Sequence, residues 1–125
     1  MKELLEFLDK HKVEYNVKNG KVICKFVNLQ CRGISNLPKD FGKVECDWLC
    51  LGYNDITELP ISFGDMRCKK IYLHDNDIEK HNIKYFERIE NLIYVSTDFG
   101  NDLSEIKQLC KINSRKEKIL SILNS

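Results

Sequence analysis

Apolar residues return to the same places along this chain at a fixed interval. Leu49, Leu51 and Ile56, with Asn54 among them, recur 22 positions later as Ile71, Leu73 and Ile78, with Asn76. One interval earlier stand Val27, Leu29 and Ile34, with Arg32 in the asparagine's place. The segments between agree as well, because Leu37, Pro38, Phe41 and Gly42 match Leu59, Pro60, Phe63 and Gly64. So many coincident columns define a sequence repeat. Units of this length bury a continuous core only by stacking on their neighbours.

Within each unit the alternation of apolar and polar positions predicts a strand with one face inward. The inward set is Val27, Leu29, Leu49, Leu51, Ile71, Leu73, Ile93 and Val95. The outward columns then read Phe26, Trp48, Lys70 and Leu92, next Asn28, Cys50, Tyr72 and Tyr94, and next Gln30, Gly52, His74 and Ser96. Cys31, Tyr53, Asp75 and Thr97 fall at the rim. Asn54 and Asn76 stand where the chain leaves the strand, a place at which a buried amide satisfies backbone groups of adjacent units. Arg32 is too long for that site and is expected in solvent. Phe41 and Phe63 are expected to plug the far end of the core.

The ends carry other signals. Leu4, Leu5 and Leu8 at helical spacing predict a short helix over residues 2–11. Asn19-Gly20 between two β-rich runs predicts a tight hairpin that pairs Val17 with Val22, Tyr15 with Cys24 and Val13 with Phe26. Its first strand would cover an otherwise open sheet edge. After Ile78 the pattern weakens, with His81, Asn82 and Tyr85 where Leu, Pro and Phe stood, and the spacing of Ile83, Phe86 and Ile89 suggests a helical segment. A fourth strand follows in Asn91 to Ser96, with Asp98 in the asparagine column. Two capping boxes, Asp102 with Glu105 and Ser114 with Glu117, open two short helices that would close the end of the stack.

The form L-x-x-L-x-L-x-x-N-x-I at a period of 22 resembles the leucine-rich repeat family over about residues 24–98. The resemblance implies an α/β fold, a short leucine-rich repeat solenoid with a parallel concave sheet. Residues 1–23 would form an N-terminal helix and β-hairpin cap and residues 99–125 a C-terminal helical cap, all in the single domain 1–125. Members of that family are mostly protein-binding modules that use the concave sheet.

Charge and composition narrow the partners. A formal net charge of +1 supplies no field to draw nucleic acid or an anionic membrane. The chain has no apolar run long enough to span a bilayer, and its first residues carry charges, so neither a membrane segment nor a secretory signal is expected. A soluble, cytoplasmic protein is the expectation. The sequence lacks Ala and is rich in Lys, Asn and Ile, as an AT-rich genome would make it. A viral or pathogen source would make the partner a host protein.

Of the 6 cysteines, Cys24, Cys46 and Cys68 occupy the first apolar column of successive repeats and are expected to act as small buried hydrophobes. A column of parallel side chains makes no tetrahedron, and no C-x-x-C pair exists, so no metal site is expected. Disulfides in such a column would distort the turns. Cys31 and Cys50 should lie near the surface, and Cys110 on a helix. His11, His74 and His81 share no ligand spacing. With no phosphate loop, nucleophile elbow or zinc-protease motif, neither an enzyme nor a cofactor is expected.

The outward face is the informative feature. Phe26, Trp48, Tyr72 and Tyr94 project from a surface that would ordinarily be solvated, flanked by Lys70, His74, Asp75 and the rim residue Tyr53. Tryptophan and tyrosine give large rigid contact area at small entropic cost. These eight residues are the expected partner-binding site of a small adaptor or inhibitor. The plainer reading, that caps or hairpin fold over part of this face, concerns Phe26 most. The alternative function is self-association, a homodimer formed through the same face.

Overall fold

The computed structural model describes residues 1–98 and has a mixed α/β architecture, one helix at the N-terminal end and a mostly parallel sheet. The two helices expected after Asp98 lie outside the described residues. Helix α1 (Lys2–Lys10) buries Leu4 and Leu8 completely, as its 4-residue spacing requires. The strands are β1 (Asn16–Lys18), β2 (Lys21–Ile23), β3 (Phe26–Asn28), β4 (Val44–Cys50), β5 (Arg67–Tyr72) and β6 (Tyr94–Ser96).

Strands β1 and β2 form the antiparallel hairpin, with Val17 opposite Val22. Both central residues of its turn have positive φ, 53° at Asn19 and 74° at Gly20, which is the geometry that matches strand twist. Strands β2 and β3 both pair in parallel with β4, so β1 forms the antiparallel edge of the sheet. From β3 to β5 the register keeps the sequence period: Val27 pairs with Leu49 and Leu49 with Ile71.

Between β5 and β6 the spacing grows. Ile71 pairs with Val95 and Lys70 with Tyr94, two residues beyond the interval of 22. The extra residues sit in the connecting segment, a 3-10 helix over Lys80–Arg88 that replaces the shorter turns Phe41–Lys43 and Ile61–Asp65. Several sequence expectations are corrected by this slip. Ile93 points outward at 64% exposure, and Thr97, expected at the rim, is buried. Tyr94 joins the column of Phe26, Trp48 and Lys70, Ser96 joins that of Tyr72, and Leu92 leaves the outer columns to pack partly buried on the core.

The core runs along the inward column and ends in a row of phenylalanines. Phe41 stacks on Phe63 with ring centroids 6.2 Å apart, and Phe63 meets Phe86 edge-on at 6.2 Å. Phe86 holds the place that simple counting gives to Tyr85. Phe7 of α1 meets Phe41 edge-on at 6.3 Å, so the helix caps this row as well as the leucine column. Where the chain leaves β4 and β5, buried amides knit neighbouring units together. Asn54 accepts from the Ile34 and Arg32 N–H groups and donates to the Leu29 and Leu51 carbonyls, while Asn76 repeats the pattern with Ile56, Leu51 and Leu73. Arg32 itself is exposed, and Asp98 accepts from the Asp75 and Asn76 N–H groups. Among the described residues, no helix is long and apolar enough to cross a membrane.

Candidate partner-binding face

The outer face owes its composition to a break in strand alternation. Cys24 and Val27 are both buried with Lys25 and Phe26 exposed between them, and Cys46, Cys68 and the residues after them repeat this spacing. The Asp47 and Trp48 N–H groups converge on one acceptor, the Lys25 carbonyl, at 3.0 and 3.3 Å. Two consecutive side chains per strand therefore face outward. One of each pair belongs to the aromatic column and the other is charged: Lys25, Asp47 and Lys69.

Side by side on adjacent strands, the rings make one row. Phe26 meets Trp48 edge-on at 5.5 Å, Trp48 lies 6.2 Å from Tyr72, and Tyr72 lies 5.3 Å from Tyr94. Phe26 is 57% exposed and Trp48 45%, so neither the hairpin nor α1 covers them. Lys70 pairs with both Trp48 and Tyr94 and holds its ammonium 5.0 Å from the Trp48 ring centroid. Lys25 does the same over Phe26 at 5.6 Å. Trp48 and Tyr72 line a groove of about 390 Å³ together with Asn28, Gln30 and Cys50.

His74 closes the far end. Its ring meets Tyr53 edge-on at 5.2 Å and Tyr72 at 6.5 Å, and Ser96 Oγ lies 3.4 Å from its Nδ1. Gly52 makes room for it, since a Cβ at that position would sit 3.0 Å from His74 Nε2. Tyr53 and Asp75 occupy equivalent turns with Cys31, and all three have left-handed backbone, φ 55°, 59° and 57°. A bulky aromatic in that region is uncommon and carries a steric cost. Tyr53 is nonetheless half exposed, at 51%.

Seven of the eight expected residues, Phe26, Trp48, Lys70, Tyr72, Tyr94, His74 and Tyr53, are thus linked by ring or ammonium contacts. Asp75 stands exposed at the rim, where its N–H donates to the Asp98 carboxylate. Lys25, Asn28 and Gln30 were not among the expected residues. The two-residue gap in L-x-x-L, which turns a consecutive pair outward, is the signal that points to Lys25.

The thiol column lies at the opposite end of the strands. Cys46 and Cys68 bring their sulfurs to 3.6 Å, and all three thiols line a second cavity of about 180 Å³. Burial pushes the Cys24 thiol up to about 11. Cys46 is raised as well, because its S–H is donated to Cys68 and is buried, and the accepting Cys68 is lowered. Among the described residues, no group of three His, Cys, Asp or Glu is arranged to hold a metal ion. The aromatic face, by contrast, offers ring surfaces, the Lys25 and Lys70 ammonium groups and the side-chain amides of Asn28 and Gln30. Comparison of the chain with protein-family models, with curated proteins and with solved structures gives no match.

Proposed function

We propose that the chain is a short leucine-rich repeat solenoid that binds a partner protein through its outer sheet face and acts in the cytoplasm as an adaptor or inhibitor. The strand register at 22-residue intervals and the repeated Asn54 and Asn76 amide bridges support the fold assignment. The observation that carries the function is the outward row of exposed Phe26 and Trp48 and half-buried Tyr72 and Tyr94, with successive centroids 5.3 to 6.2 Å apart. Contiguous exposed aromatics of this kind mark interaction sites on soluble proteins.

Affinity capture tests the reading, with wild type and a Trp48→Ala/Tyr72→Ala variant as baits in a lysate of the native or host cell. Neither side chain belongs to the core, so circular dichroism of the variant should match wild type. A protein retained by wild type and lost by the folded variant supports the proposal, and equal retention on both baits contradicts it. Gel filtration across a concentration range separates the alternative, a homodimer through the same face. Self-association abolished by the double substitution would identify a second copy as the partner.

A further inference from the structure

Resting on that reading, we infer that the partner offers an extended segment with an acidic side chain beside an apolar one, the carboxylate seated between Lys25 and Lys70. At this end of the face Lys25, Lys69 and Lys70 stand beside Asp47, with Glu14 bordering the cavity that Lys25 and Phe26 line. Asp47 is already taken, 3.7 Å from the Lys69 ammonium. Among the described residues neither Lys25 nor Lys70 has a carboxylate within ion-pairing distance. Each instead rests its ammonium over a ring, Lys25 over Phe26 and Lys70 over Trp48. Lys70 is half-buried between Trp48 and Tyr94, so an arriving carboxylate would meet a cation partly withdrawn from water. Electrostatic complementarity in such a setting gives orientation and partner choice as well as affinity.

The other end of the face has the opposite sign. Asp75 and Asp98 are both exposed there, roughly 16 Å from the lysines at the rise of an extended strand. A polyanion laid along the strands, from the lysines past Tyr72 and His74, would run from attraction into repulsion. Aromatic rings with lysines also suit single-stranded nucleic acid, but the two aspartates favour a peptide, whose acidic group occupies one end only.

Selection from a phage-displayed random peptide library on the immobilised full chain tests this, with Trp48→Ala and Lys70→Glu chains selected in parallel. The expected result is enrichment on wild type of peptides with Asp or Glu next to Phe, Leu or Trp. One such peptide, made with a fluorophore, should bind the Lys70→Glu chain about tenfold more weakly. The same peptide with its acid changed to Lys should recover binding to that variant. Enriched peptides that need Trp48 but lack acids, or that bind Lys70→Glu as well as wild type, would overturn the acidic specificity and leave the binding face standing. Failure to enrich any peptide over the Trp48→Ala chain would overturn both. Tighter binding of a short oligothymidylate than of any selected peptide would overturn the choice of a peptide.

Discussion

The Asn54 side-chain amide donates to the Leu29 carbonyl at 3.0 Å, across the boundary between two successive units. The same carboxamide accepts from the Ile34 N–H at 3.0 Å, so one buried side chain satisfies donors and acceptors that belong to the preceding unit. Asn54→Ala leaves these groups unpaired and is expected to cost about 2–4 kcal/mol. Asn54→Asp should be at least as harmful at neutral pH, because a carboxylate would face the Leu29 and Leu51 carbonyls. Asp98→Asn should cost about 1 kcal/mol, since the Asp75 and Asn76 N–H groups are accepted by different oxygens of Asp98 and an amide keeps only one of them. Urea unfolding followed by circular dichroism ranks the three.

Gly42 is held against the next turn so closely that an added Cβ would lie 1.8 Å from the Ser62 carbonyl oxygen. Its own N–H donates to Ser62 Oγ, and that hydroxyl donates to the Lys39 carbonyl. Backbone stands on both sides and neither can yield without moving a turn. Gly42→Ala is expected to destabilise by about 3 kcal/mol or more. Gly20→Ala, at an open hairpin turn with φ 74°, should cost only about 1 kcal/mol. Comparable losses at the two positions would contradict the close approach of the turns.

How much of this was legible in the sequence depends on which errors the pattern could expose. The period, the inward columns of β3, β4 and β5, the pairing of Val17 with Val22 in the hairpin and the asparagine bridges follow from residue types with a strong physical preference. The fourth strand was misread because a slip of two residues preserves the in–out alternation, so Ile93 with Val95 and Val95 with Thr97 satisfy it alike. Only a slip of one would have turned the apolar set to the wrong face. The site inherits the error, because an interval of 22 puts Tyr94 in register with Tyr72, whereas it pairs with Lys70 and reaches Tyr72 across the strand. The left-handed turns were hidden for another reason: Asp at position 75 suits that conformation, but Cys31 and Tyr53 have no preference for it.

Tyr53 carries a backbone cost that its exposed ring does not offset by burial. Tyr53→Asn should therefore raise stability, by up to about 1 kcal/mol, while weakening retention of a captured partner. Thermal unfolding and capture measured on the same preparation check both halves. A loss of stability would mean that the contact with His74 outweighs the steric cost.

Thiol burial sets an alkaline limit. In the unfolded chain Cys24 and Cys46 ionise near the ordinary value, about 9, whereas in the folded chain Cys24 holds its proton up to about 11 and Cys46 is also raised. From about pH 9 the unfolded state binds fewer protons than the folded one, so stability should fall as pH rises through that window. Below it, the contribution is complete. Cys24→Ala/Cys46→Ala/Cys68→Ala, which also removes the thiol that accepts from Cys46, should flatten the slope between pH 9 and 11, which unfolding curves at stepped pH would reveal.

The measurement that bears most directly on the binding face is the dissociation constant of the captured partner, by calorimetry, for wild type and for Trp48→Ala/Tyr72→Ala. Loss of two central aromatic anchors predicts weakening of about 100-fold or more with unchanged circular dichroism. Affinities within about threefold of each other, on equally folded proteins, would contradict a binding site on the aromatic face.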